Sequence, residues 1–145
     1  MDIDLVEKIN ILGPWVHGRF DLGNGIVIEE KDILQRRRTL SYRDYFVDII
    51  ATHYAKSQTA EKTVCEIGCN AGYFLYEVYK RFDFKKAVGY EPRLSNIAKA
   101  RFIARHFHLP TKRYFFKKLD ILNVSRQVPV YDIVLIVVPK IRTIV

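Results

Sequence analysis

A chain of 145 residues with 24 Lys and Arg against 16 Asp and Glu, net charge +8, is long enough for one domain with a real core. Its 49% apolar and 28% charged residues exclude a disordered or low-complexity protein, and no apolar run approaches the ~20 residues of a membrane span. The acidic start Met1-Asp2-Ile3-Asp4 is neither a secretory nor a transit leader, and the two cysteines, Cys65 and Cys69, form neither a disulfide framework nor a zinc-ligand spacing, so the expected compartment is the cytoplasm.

Residues 1–57 read as an N-terminal arm and residues 58–145 as the main domain. Ile3 to Leu12 suits a short helix stopped by Gly13-Pro14. The apolar-rich runs on either side of Gly23-Asn24-Gly25 predict a hairpin. Ser41 and Asp44 have the spacing of a capping box. Tyr45, Phe46, Ile49, Ile50, His53 and Tyr54 then recur at helical spacing and predict a helix packed on a sheet, with His53 at the core edge.

From Thr63 onward, strands and helices alternate. The expected strands are Thr63 to Ile67, Ala87 to Tyr90, Arg113 to Leu119 and Tyr131 to Val138. The helices between them are Ala71 to Phe82, with Leu75, Val78, Tyr79 and Phe82 on one face, and Ser95 to Phe107, ended by Leu109-Pro110. This alternation predicts an α/β, Rossmann-like open parallel sheet in the order 3-2-1-4. The fourth strand then lies at an edge. The ending Val138-Pro139-Lys140 to Val145 offers no helix to cover it, so we expect an incomplete domain, truncated or completed by self-association or a partner strand.

The first strand ends in Glu66 and is followed by Gly68-Cys69-Asn70-Ala71-Gly72-Tyr73. Such a turn at the carboxyl end of a strand presents backbone amides to a ligand at the crevice of a doubly wound sheet. Gly68 supplies unusual backbone angles, and Gly72 is expected to remove a side chain where a ligand approaches. Asn70 stands where a dinucleotide turn has its second glycine, which argues against a bound pyrophosphate. Glu91 closes the second strand, 19 residues after Gly72, where a carboxylate can accept both ribose hydroxyls of an adenosyl group. Asp120 and the Ile121 backbone follow the third strand, near an adenine edge. Three acids at neighbouring strand tips suit a cofactor that carries sulfonium and ammonium charges.

Glu66-x-Gly68-x-x-x-Gly72, Gly89-Tyr90-Glu91-Pro92, Leu119-Asp120-Ile121 and Tyr131-Asp132-Ile133-Val134-Leu135-Ile136 resemble the successive motifs of class I S-adenosylmethionine-dependent methyltransferases. The resemblance covers about Thr63 to Ile136. It implies S-adenosyl-L-methionine as cofactor, bound by Glu66, Gly68, Cys69, Asn70, Gly72, Tyr73, Glu91, Asp120 and Ile121, with no metal. That family's sheet usually has seven strands, and here four are expected. Trp15-Val16-His17 and Asp21-Leu22-Gly23 weakly resemble the leader of some of these methyltransferases, including relatives acting on tRNA wobble uridine. His17, with Trp15, is the substrate-side candidate.

The methyl acceptor is open between a small molecule and RNA. Arg36-Arg37-Arg38, Lys85-Lys86, Lys112-Arg113 and Lys117-Lys118 suit an anionic partner. The alternative function is a non-catalytic Rossmann-like module that contacts RNA or protein.

Overall fold

The computed structural model describes residues 3–137. Its elements in chain order are α1 (Ile3–Leu12), β1 (Arg19–Asp21), β2 (Val27–Glu29), α2 (Ile33–His53), α3 (Lys56–Thr59), β3 (Thr63–Ile67), α4 (Tyr73–Phe82), β4 (Lys86–Glu91), α5 (Leu94–His106), β5 (Tyr114–Lys118), a 3-10 turn (Ile121–Asn123), α6 (Val124–Gln127) and β6 (Ile133–Ile136). The main sheet is parallel in the order β5-β4-β3-β6, which is the expected 3-2-1-4. Val138, Pro139 and the basic tail, part of the expected fourth strand and its edge, lie outside the described residues.

Register sorts the strand side chains into two faces. Val64, Glu66, Ala87, Gly89, Tyr114, Phe116 and Leu135 share one face, because Val64 pairs with Ala87 and Glu66 with Gly89 and Leu135. Against this face α4 lays Leu75, Val78, Tyr79 and Phe82, and α5 lays Ile97 and Ala100. On the other face Cys65, Val88, Tyr90 and Leu119 are covered by Val124, Val128 and Tyr131. The Tyr131 hydroxyl meets that of Tyr90 at 2.8 Å. Asp132 fastens the edge strand by accepting from the Thr63 amide at 2.8 Å.

The arm joins this core. The hairpin β1–β2 sends Phe20, Leu22 and Ile28 into a cluster with Ala71, Phe74 and Phe102. Phe20 stands edge-on to Tyr73, ring centres 5.5 Å apart. Helix α2 adds Ile50 to the sheet-side core, with Phe46 edge-on to Phe74 at 5.4 Å. Trp15 anchors the exit from α1, its Nε1–H donating to Ile9 O at 2.9 Å while its ring packs against Phe20 and Phe102.

Two expectations for the arm are corrected. Ser41 and Asp44 do not cap a helix. Helix α2 is capped nine residues earlier, where the Asp32 carboxylate accepts from the amides of Leu34 and Gln35. Nothing breaks the helix between Asp32 and Ser41, so the earlier cap governs. Helix α2 packs on α4 and, through Ile50, joins the core on that face of the sheet. Phe46, Val47, Ile50 and Tyr54 point inward, whereas Tyr45, Ile49 and His53 are exposed. The His53 ring bonds Ile49 O at 2.8 Å instead of sitting at the core edge.

Candidate functional site at the tips of strands β3 and β4

The chain leaves β3 and enters α4 within five residues. Gly68, Asn70 and Gly72 all take positive φ, at 74°, 51° and 80°. Glycine adopts this region freely and asparagine better than most residues. The amides of Gly68 and Cys69 both donate to Tyr90 O, at 2.8 and 3.0 Å, which pins the turn to the tip of β4.

The two glycines face different surroundings. A Cβ on Gly68 would meet nothing within 4 Å. A Cβ on Gly72 would lie 2.9 Å from the Phe116 ring, and one on Gly89 only 2.4 Å from it. Gly72 is therefore a packing glycine, and the expectation that it clears a ligand's approach is corrected. Phe116, on β5, fills the space beneath the turn, and Gly68 is the glycine that faces open space.

Glu66 is buried. Its Oε2 accepts from the Leu75 amide at 3.0 Å, serving a helix whose N-cap, Gly72, has no side chain. Its Oε1 makes no hydrogen bond among the described residues. Burial pushes the Glu66 carboxyl up to about 8, opposed by the Leu75 bond and reinforced by the charge of Glu91. At neutral pH this group therefore holds a proton that a neighbouring cation would displace.

Glu91 is the organising carboxylate. Oε2 accepts from the Asn70 amide at 2.9 Å, and Oε1 from the Arg93 amide and from Asn96 Nδ2, both at 3.1 Å. An ionised carboxylate has about four acceptor sites, so about one remains. That acceptor capacity faces the turn at Asn70. Beside it, Asn70 Oδ1 is buried without a hydrogen-bond partner. A buried acceptor without a donor costs about 1–3 kcal/mol, so this atom marks a place where a ligand donor fits.

The remaining candidates divide. Cys69 is buried, and its thiol is pushed up by burial and by the charges of Glu66 and Glu91. Burial takes Cys65 to about 11, so neither thiol is a nucleophile at neutral pH. Both are free. Tyr73 turns away from the crevice, buried against Phe20, with Arg43 Nη1 donating to its hydroxyl at 3.4 Å. Asp120 is exposed two residues beyond the Glu91–Lys118 pairing, where Leu119 N donates to Glu91 O at 3.1 Å. Its carboxylate accepts from Asn123 Nδ2 and the Leu122 amide, and these bonds hold it below the usual range. Ile121 opens the 3-10 turn. His17 is exposed on the arm with φ 58°, its amide donating to Glu30 at 3.1 Å.

Sequence reasoning missed Asn96 and Phe116. The Asn96 spacing, five residues after Glu91 in the first turn of a helix, was a usable signal. Phe116 needed the strand register. A groove of about 300 Å³ lined by Asp4, Phe102, Arg105 and His106 lies between α1 and α5, apart from this crevice. Among the described residues no group of three or more His, Cys, Asp or Glu is arranged to hold a metal, and no helix is long and apolar enough to cross a membrane.

The crevice fits an adenosyl cofactor with a cationic amino-acid arm. Gly68 leaves it open, Asn70 Oδ1 is a buried acceptor without a donor, Glu66 Oε1 makes no hydrogen bond among the described residues, and Glu91 retains acceptor capacity. No family model matches the chain. A tRNA U34 carboxymethyltransferase of Helicobacter acinonychis (strain Sheeba) is 25% identical over 133 residues, covering 90% of this chain. The chain spans 44% of that relative's length. The crystal structure of EvdMO1 superposes with a TM-score of 0.61 at 19% identity, over 92% of this chain and 28% of that one. Magnesium protoporphyrin IX methyltransferase (ChlM) from Synechocystis PCC 6803, with bound SAH, gives 0.56 at 14% identity, over 93% and 53%. The chain has the fold of class I S-adenosylmethionine-dependent methyltransferases.

Proposed function

We propose that this chain carries the cofactor-binding part of an S-adenosylmethionine-dependent methyltransferase. The observation that carries the reading is the buried Asn70 Oδ1, an acceptor without a donor, beside the Glu66 and Glu91 carboxyls at a turn open above Gly68. When bound, S-adenosylmethionine supplies a methyl carbon activated by a sulfonium. The chain's residues bind and orient. Glu66 and Asn70 accept donors from the amino-acid arm, and Glu91 accepts one ribose hydroxyl. Asp120 and the Ile121 backbone flank the adenine edge. Tyr73 supports the turn from behind through Phe20 and Arg43. Positioning is the main contribution such a site makes to methyl transfer. His17 is the arm's acid–base candidate, for an acceptor that must lose a proton. Buried free thiols suit the reducing cytoplasm.

The test is calorimetric titration with S-adenosylhomocysteine. Saturable binding at one site, weakened in Asn70→Ala and Glu91→Ala, is expected. A folded chain that shows no binding refutes the reading.

RNA is the acceptor class we favour, with a small molecule as the other outcome. The chain's +8 charge and the likeness to a tRNA-modifying enzyme support it. So does Phe115, whose ring carries Lys86 at 5.4 Å and Lys117 at 5.7 Å. A ring flanked by ammonium groups is a surface on which a base can stack beside its phosphates. The same patch supports the second reading, an RNA-contacting module without catalysis. RNA binding that weakens steeply with salt and ignores S-adenosylhomocysteine would select it.

A further inference from the structure

Helix α2 is 21 residues long and apolar on two sides. Inward it lays Phe46, Val47 and Ile50 on the core. Outward, Leu34 is 66% exposed, Tyr45 59% and Ile49 40%. At about 100° per residue these three fall within about 60° of each other around the helix axis. Arg38 and Ser41 lie in the same stripe, so that residues 34, 38, 41 and 45 follow one another at steps of four, three and four. That is the seam spacing of helices that pair lengthwise. A stripe of this kind is ordinarily covered.

The charges beside the stripe say what covers it. Arg36, Arg37 and Arg38 stand in the first half of α2, and Asp44 and Asp48 in the second. Arg36 is paired with Glu29 and Asp44 with Arg43. Arg37, Arg38 and Asp48 are exposed and make no ion pair among the described residues. A copy laid parallel would set like charges together. A copy laid antiparallel, with the two-fold between Ser41 and Tyr42, sets Leu34 opposite the partner's Ile49 and Arg38 opposite the partner's Tyr45. Arg37 then lies about 3 Å along the seam from the level of the partner's Asp48, within reach of its long side chain. A two-fold axis repeats every contact, and the small Ser41 side chain permits close approach at the crossing.

We propose that the outward face of α2 is a self-complementary interface on which a second copy of this chain docks antiparallel, with Arg37 of each copy facing the partner's Asp48. Leu34, Tyr45 and Ile49 supply the affinity, and the rim ion pairs set the direction. The interface is independent of the cofactor reading.

Sedimentation velocity of the full chain across the micromolar range is the test. Wild type is expected to show a concentration-dependent dimer. Ile49→Glu places a carboxylate against the partner's Leu34 at each end of the seam and raises the dissociation constant by at least about tenfold. Arg37→Asp and Asp48→Arg each weaken the dimer, and the double variant restores it. In one helix these positions are about 16 Å apart, too far for direct contact, so restoration reports a pair between molecules. Ser41→Cys gives a second readout, a disulfide-linked dimer under mild oxidation, with the native cysteines buried. A chain that stays monomeric, a dimer indifferent to these substitutions, or a double variant no better than the single ones overturns the proposal.

Discussion

Replacing Glu66 by Gln separates what this carboxyl does for binding from what it costs the fold. Burial moves the group from 4.5 to about 8. The unfolded chain releases the proton near pH 4.5, while the folded chain holds it to about pH 8. Between those values the unfolded state binds fewer protons, so stability falls as pH rises. At about 1.36 kcal/mol for each pH unit, the whole window amounts to about 5 kcal/mol. Glutamine keeps an oxygen for the Leu75 amide and does not ionise. Glu66→Gln is therefore expected to match wild type near pH 5 and to exceed it by about 3–5 kcal/mol near pH 8. Urea unfolding of both proteins at a series of pH values, with constant m, measures this. At the same time the variant should bind S-adenosylhomocysteine more weakly, because a neutral amide meets an ammonium group less well than a carboxylate does. A stability difference that stays flat with pH would refute the reasoning.

Four further outcomes are expected. Binding of S-adenosylhomocysteine should release a proton from Glu66 near neutral pH, so that the apparent enthalpy changes with the buffer's ionisation enthalpy; identical heats in phosphate and Tris would contradict this. Gly89→Ala should cost about 1–3 kcal/mol in wild type, its Cβ being forced against Phe116 and Cys69, and clearly less in a Phe116→Leu background; additive penalties in thermal unfolding would exclude the contact. Cys65 and Cys69 should resist a thiol reagent in the native protein and react once urea unfolds it, whereas fast native labelling would show that the turn opens readily. The Asp120 carboxyl should titrate below 3.8, its stabilising contribution present above that pH and lost as pH falls through the folded value; an NMR titration that places it at or above 3.8 would count against the bonds from Asn123 and Leu122.

The parallel order was legible because short apolar runs alternate with helical periodicity, and few windings connect such elements. The positions of Glu66 and Glu91 at neighbouring strand tips followed from the same reading, since each stands at the end of its run. What escaped depended on register and on which side of a helix meets the core. Phe116 lies 44 residues after Gly72 in the turn it supports, and only the pairing of Gly89 with Phe116 brings them together. Tyr73 begins α4 next to the turn, yet its direction depends on Phe20 in the distant arm. Tyr45 and Ile49 satisfied the same periodicity as Phe46 and Ile50 because α2 is apolar on opposite sides. A spacing rule identifies a stripe without saying which stripe is buried. Asp32 and Ser41 offered the same capping chemistry, and only the unbroken helix between them decided.

The turn after β3 rests on an edge strand. Among the described residues β5 pairs on one side only, with β4, and through Phe116 it also props the turn from below. Edge strands open locally before the rest of a sheet. Each such opening withdraws the Phe116 ring from beneath Gly72 and Gly89, and the turn then loses its floor. Occupancy of the crevice and closure of a strand that supplies none of its acceptors are thereby one equilibrium. A bound ligand is therefore expected to slow hydrogen exchange in β5, and a substitution that loosens β5 is expected to weaken binding without touching the ligand.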